Sequence, residues 1–136
     1  MESRTQSVLK PSSFDFEEFE PKLRSRVAQE LTKTDFDHTL TVVKNMKRFV
    51  SMEGGKLDVL VAASYLHEIG KGDKAVILSH ELEEKSPLVQ RYAACALRAK
   101  EILVALKFPE EKAEEVARYL TKNECVELKR AHHSMY

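Results

Sequence analysis

Apolar residues recur at intervals of three and four positions through much of the chain, which is the spacing of an amphipathic helix. In the N-terminal half this pattern predicts a firm helix over 21–31, with Pro21 in its first turn. It predicts a second helix over 36–52, with Thr34 or Asp35 as the capping residue.

The C-terminal half shows the same spacing after a polar stretch. Residues 71–85 are polar and irregular, with room for one turn over 75–78. Ser86 and Pro87 then form a strong start signal for a long helix, and Glu110 marks the beginning of another. No run alternates cleanly enough to predict a strand. The predicted fold class is all-α, a single bundle of five to six helices.

The segment 57–73, LDVLVAASYLHEIGKGD, differs from the other helices because its apolar residues leave no polar stripe. A helix that is apolar all round is expected at the centre of a domain. We expect it to end at Gly70, with His67 and Glu68 in its last turn. Burying an imidazole beside a carboxylate is costly unless something pairs with them, and a divalent cation would do so.

Composition limits the classes of partner. The 136 residues suit one domain, which we place at 14–136 after a flexible N-terminal arm at 1–13. Lysine plus arginine equals aspartate plus glutamate at 22 each, so no net field attracts long nucleic acid or an anionic membrane. Cys95 and Cys125 are too few for a disulfide framework, and no segment resembles a membrane span or signal peptide. We therefore expect a cytoplasmic protein.

One further histidine is placed to join His67 and Glu68. His38 lies early in the preceding predicted helix, about thirty residues upstream, and the two helices have similar lengths at a rise of about 1.5 Å per residue. Antiparallel packing would bring the start of one beside the end of the other. Two imidazoles and a carboxylate make an incomplete metal shell with positions left for water or substrate. The alternative is that such histidines only cap or pack helix ends.

These residues carry a resemblance to a known family. FDHTLTVVKNM followed by AASYLHEIGKGD resembles the HD-domain superfamily of metal-dependent phosphohydrolases, in which a lone histidine precedes an apolar run ending in HDIGK. The resemblance covers about 36–124. It implies that His38 and His67 are metal ligands, that Glu68 replaces the family's aspartate, and that His80 stands where many members carry a further histidine.

The activity implied by the resemblance is hydrolysis of a nucleotide or another small phosphoester with a divalent cation (Mn, Mg, Ni, Fe or Zn) as cofactor. Lys71 would hold a phosphate oxygen as a point charge, or else pair with the helix C-terminus. His80 would orient the substrate or protonate the leaving group. The sequence leaves the oligomeric state and the identity of the metal open.

Two departures from the family pattern support an alternative function. Glu68 is one methylene longer than aspartate, which predicts weak hydrolysis that Glu68→Asp would improve. The family's closing aspartate has no clear counterpart, with only Glu124 and Glu127 as candidates. The alternative is therefore an HD-like regulatory or interaction module with little or no catalysis.

Overall fold

The computed structural model describes residues 14–82, 87–122, 128–129 and 131, and within these ranges it contains helices and no strand. The prediction of an all-α bundle is confirmed. The predicted arm at 1–13 lies outside the described residues. The α-helices assigned over these described ranges are α1 (Phe16–Glu30), α2 (Lys33–Glu53), α3 (Leu57–Leu66), α4 (Asp73–Glu81), α5 (Pro87–Ala105) and α6 (Glu110–Lys122).

Helix α1 begins five residues before the predicted first turn at Pro21, so that boundary was wrong. The Asp15 carboxylate caps the helix by accepting a hydrogen bond of 3.0 Å from the backbone N–H of Glu17. The rings of Phe14 and Phe19 pack on Phe108, with centroids 5.2 and 5.0 Å away, respectively. This cap and the aromatic packing stabilise the early turns despite the hydrogen bond that proline cannot donate.

Helix α2 also begins earlier than predicted. Thr32, not Thr34 or Asp35, is its N-cap, and its hydroxyl accepts a 3.2 Å hydrogen bond from the N–H of Asp35. The helix therefore has an additional turn before His38. Gly54 ends it with a φ of 85°, in the left-handed region that glycine adopts without strain.

The predicted central helix is α3, which packs against α1, α2 and α6. Complete burial of one aliphatic side chain contributes about 1.5–3 kcal/mol, so this helix anchors the core. Eight of its residues are buried: Val59, Leu60, Val61, Ala62, Ala63, Ser64, Tyr65 and Leu66.

Residues 73–81 form a helix, α4, where the sequence predicted an irregular stretch. Only Ala75 of α4 is buried, whereas Val76 and Ile77 are exposed. The four apolar residues at 75–78 form one contiguous run instead of recurring at intervals of three and four, so the periodicity that identified the other helices is absent here. Helix α4 packs on α5 and on the turn that follows α3.

Two clusters of polar side chains connect different helices of the bundle. Arg98 of α5, 7% exposed, donates to both carboxylate oxygens of Glu30 at the end of α1. In the second cluster the Tyr65 hydroxyl donates a 2.6 Å hydrogen bond to Glu20, whose carboxylate also lies 2.6 Å from the ammonium of Lys47. These buried pairs fix α1 against α5, α2 and α3.

None of the described helices is both long enough and apolar enough to cross a lipid bilayer.

Candidate metal centre

The central helix ends one turn before the predicted position. The last α-helical residue is Leu66, His67 is the C-cap, and a short 3-10 helix follows at Ile69–Lys71. The Lys71 N–H donates to the Glu68 carbonyl at 3.0 Å, which closes this tighter turn. His67 and Glu68 therefore occupy the junction between two helical segments rather than the last turn of one.

The two glycines of this turn are required for close packing. A Cβ added to Gly70 would lie 3.1 Å from the Cβ of Cys95 on α5. A Cβ added to Gly72 would lie 2.9 Å from the backbone carbonyl oxygen of Glu30 at the end of α1. Gly70 is not the residue just past the helix end, as the sequence predicted, but lies within the 3-10 helix at Ile69–Lys71, and its φ is not positive. Its role is to let α5 approach the turn.

His38 faces this turn from α2. Its Nε2 lies 3.3 Å from Oε2 of Glu68, and its ring centroid lies 5.9 Å from that of His67. The start of α2 and the end of α3 are thus neighbours, as the predicted antiparallel packing requires, although the two helices differ in length, with 21 residues in α2 and 10 in α3.

The orientation of His67 is set by the helix that precedes it. Its Nδ1 lies 2.7 Å from the carbonyl oxygen of Ser64. A carbonyl oxygen only accepts hydrogen bonds, so Nδ1 carries the proton and the lone pair of the neutral ring is on Nε2. Nε2 lies 3.6 Å from Oε2 of Glu68. The ring is held in the tautomer that a metal ligand needs.

Glu68 is the centre of the group. Its side chain is 10% exposed, and Oε2 is the atom that both histidines approach. The other oxygen, Oε1, is buried and accepts no hydrogen bond from any described residue, although the ammonium of Lys71 lies 3.5 Å away. A buried carboxylate is costly unless its charge is compensated, and the compensation here is incomplete.

The donor set fits a divalent cation. One ligand atom from each of His38, His67 and Glu68 lies within 4.8 Å of the others. Ligand atoms that each lie about 2.1 Å from one ion are about 3.0–3.4 Å apart in octahedral or tetrahedral geometry, close to the observed separations of 3.3 and 3.6 Å. Two imidazoles and one carboxylate suit Zn, Fe, Mn or Ni better than calcium.

Lys71 lies at the edge of this group, and its partners include a residue that the sequence analysis missed. Its ammonium, on a side chain that is 58% exposed, is 3.6 Å from Oδ1 of Asp35 as well as 3.5 Å from Glu68. Asp35 precedes His38 by almost one turn of α2. Its position on the same helix face was the available signal, but the sequence predicted it only as a cap.

A cleft of about 280 Å³ opens beside the candidate metal centre. One wall is the turn after α3, and the other is the first half of α5. The seven residues that line it are His67, Glu68, Gly70, Lys71, Arg91, Tyr92 and Cys95. Arg91 could not be identified from the sequence, because a single arginine on an amphipathic helix normally belongs to its solvated face.

Cys95 lies at the buried end of this cleft. Burial raises the pKa of its thiol to about 11, against the opposing effect of a hydrogen bond from the backbone of Gly70. The thiol therefore stays protonated near neutral pH and is a packing group rather than a nucleophile.

His80 is not brought into the candidate metal centre. It lies exposed in the last turn of α4, outside the three-residue group and not among the residues that line the cleft. The candidate closing acids Glu124 and Glu127 lie outside the described residues.

Comparison with known proteins gives no assignment: no family model, no curated protein and no solved structure matches this chain.

Proposed function

We propose that this protein is a divergent member of the HD-domain superfamily that binds one divalent cation through His38, His67 and Glu68 and hydrolyses a small phosphoester. The observation that carries the proposal is the convergence within 4.8 Å of three donor atoms, one from α2 and two from the turn after α3. The resemblance of FDHTLTVVKNM and AASYLHEIGKGD to the family's histidine motifs supports the same residues.

The buried charge of Glu68 supports a cation at this position. Its oxygen Oε2 is approached by both imidazoles, while Oε1 lies 3.5 Å from the exposed ammonium of Lys71 and accepts no hydrogen bond from the described residues. A structural role in packing would be served as well by apolar side chains, and often with greater stability. The presence of three ligand-type groups in contact is better explained by binding.

The chain's own groups have separable roles in the proposed reaction. The Ser64 carbonyl keeps His67 in one tautomer and orientation. Glu68 supplies the negative charge of the site, and Lys71 offers a positive charge at the mouth of the cleft. A bound divalent ion would supply Lewis-acid chemistry, polarising phosphoryl oxygens and lowering the pKa of water. The adjoining cleft gives a small substrate access to this group.

Metal titration of the purified protein tests the proposal. Wild-type protein and His67→Ala should be titrated with Mn²⁺ by calorimetry, with His80→Ala as the matched control because His80 is exposed and outside the group. Mutation of residues that only hydrogen-bond to a metal ligand typically lowers metal affinity about 10–100-fold. Loss of the ligand His67 itself should therefore lower Mn²⁺ affinity about 100-fold or more. The His80→Ala protein should bind as wild type does.

A hydrolysis assay then separates the two functions that the sequence left open. A phosphomonoester or a phosphodiester with a chromogenic leaving group should be turned over by the Mn²⁺-loaded wild-type protein and not by His67→Ala. Metal binding without turnover of either ester would support the regulatory module. If neither wild type nor variant binds any of the five candidate metals, the metal-centre proposal is wrong.

A further inference from the structure

We infer that Arg91 and Lys71 form an anion site in the cleft that selects the terminal phosphate of a small phosphomonoester over a phosphodiester. This inference rests on the proposed function, because it deepens the substrate class of the same site. Its test is arranged so that the two can fail separately.

The cleft places the two cationic residues around the space next to the metal centre. Lys71 lines it from the turn after α3, and Arg91 lines it from α5. The close packing of Gly70 on Cys95 holds α5 against this turn. A ligand that entered the cleft would therefore contact both cationic residues. It would also contact Glu68 and His67, which lie on the same wall as Lys71.

Arg91 has no structural partner within the described part of the chain, whereas other arginines are already engaged. Arg98, two turns further along α5, is paired with Glu30 and Glu101. Arg24 and Arg26 pair with acidic residues on their own helix. No hydrogen bond or ion pair from Arg91 to a described residue competes for its guanidinium. The planar guanidinium suits two oxygens of one phosphate.

Charge and size favour a monoester. The second pKa of a phosphomonoester is about 6, so near neutral pH it is largely a dianion, whereas a diester carries one charge. Two cationic side chains therefore attract the monoester more strongly than the diester. A volume of about 280 Å³ lies just below the range of about 300 to 1,000 Å³ that is typical of ligand sites, and it suits one small organic substituent. Tyr92 offers an aromatic surface in the same cleft for that substituent.

Binding of simple phosphates to the full-length protein tests the inference without relying on turnover. Inorganic phosphate, methyl phosphate and dimethyl phosphate should be titrated by ³¹P NMR or calorimetry, with and without Mn²⁺. The variants are Arg91→Gln, the charge-retaining Arg91→Lys, and Arg118→Gln as the matched control. Arg118 is also an exposed helical arginine, on α6, and does not line the cleft.

We expect methyl phosphate to bind wild type at least about tenfold more tightly than dimethyl phosphate, and Arg91→Gln to lose about tenfold in methyl phosphate affinity. Arg91→Lys should retain part of the affinity, and Arg118→Gln all of it. Circular dichroism should show equal helicity in every variant, since Arg91 is exposed.

Several outcomes would overturn the inference. One is that Arg91→Gln and wild type bind methyl phosphate with equal affinity. Another is that wild type binds methyl phosphate and dimethyl phosphate equally. The third is that no phosphate binds, with or without Mn²⁺. If Mn²⁺ does not bind but phosphate still binds in an Arg91-dependent way with the monoester preferred, the proposed function fails and the anion site stands.

Discussion

Nε2 of His38 lies 3.3 Å from Oε2 of Glu68, although the two residues belong to different helical segments. The same oxygen is 3.6 Å from Nε2 of His67. One carboxylate oxygen is therefore shared by two imidazoles, and the glutamate side chain spans the distance between the turn after α3 and helix α2. The extra methylene relative to aspartate is used for that reach.

Shortening this side chain should weaken metal binding. The family resemblance predicts that Glu68→Asp improves the site. The observed contacts favour the opposite, because aspartate would withdraw the carboxylate from His38 by about 1 Å. A misplacement of that size can cost on the order of 100-fold in rate. We expect Glu68→Asp to lower Mn²⁺ affinity about tenfold or more in a calorimetric titration. Glu68→Gln, which keeps the length and removes the charge, is the control. Affinity of Glu68→Asp equal to or above wild type would show that the turn adapts to aspartate.

Removing the Lys71 ammonium should change metal and phosphate binding in opposite directions. The ammonium is 3.5 Å from Oε1 of Glu68, so it competes with any cation for that carboxylate. Because Lys71 is 58% exposed, the effect is limited by solvent to about 0.5–1 kcal/mol. We expect Lys71→Met to bind Mn²⁺ about two- to fivefold more tightly and methyl phosphate more weakly. Lys74→Met, an exposed lysine of α4, should change neither affinity. A parallel loss of both would indicate that Lys71 instead maintains the turn.

The core helix, the starts of α5 and α6 and the group of three ligand-type residues could be predicted because they depend on patterns that the sequence displays. The apolar run of α3 identified the core helix, and the predicted antiparallel packing of α2 and α3 placed His38 near His67 and Glu68, although α2 has 21 residues and α3 only 10. The start of α5 at Pro87 and of α6 at Glu110 followed from strong local signals.

What could not be predicted depends on contacts between segments distant in sequence. The α4 helix has a single buried alanine, so its stability comes from packing on α5 rather than from a stripe of its own. The start of α1 depends on aromatic packing with Phe108. Arg91 gained a candidate role only when α5 was placed against the turn that carries Lys71.

Replacement of Gly72 by alanine should disturb the turn that carries the candidate ligands. Its φ of −76° suits alanine, but the new Cβ would lie 2.9 Å from the backbone carbonyl of Glu30, which cannot rotate away. Overpacking of this kind costs about 1–3 kcal/mol. We expect Gly72→Ala to lower the free energy of unfolding in urea by that amount and to weaken Mn²⁺ binding. Gly70→Ala, which meets the Cβ of Cys95 at 3.1 Å, should cost less. Unchanged stability of Gly72→Ala would show that α1 and this turn are not held in contact.

The protein should lose stability at alkaline pH through Tyr65. Burial, reinforced by the hydrogen bond to Glu20, raises the pKa of this phenol from 10.0 to about 12, against an opposing hydrogen bond from Arg24. Because the folded-state pKa is the higher one, the contribution to stability is complete below pH 10 and is lost as the pH rises to about 12. A pKa difference of about two units between the folded and unfolded states corresponds to a loss of about 2–3 kcal/mol in the free energy of unfolding.

Urea unfolding between pH 9 and pH 12 measures this loss, and Tyr65→Phe provides the matched control because it removes only the hydroxyl. Ionisation of the Cys95 thiol, whose pKa is raised to about 11, also lowers stability over part of this range, but it affects both proteins equally. The difference between wild type and Tyr65→Phe should therefore fall steadily from pH 10 upward. Absorbance at 295 nm should show one tyrosine fewer ionising near pH 12 in the variant. Parallel stability curves for the two proteins would mean that the Tyr65 hydroxyl ionises as readily in the folded chain as in the unfolded one.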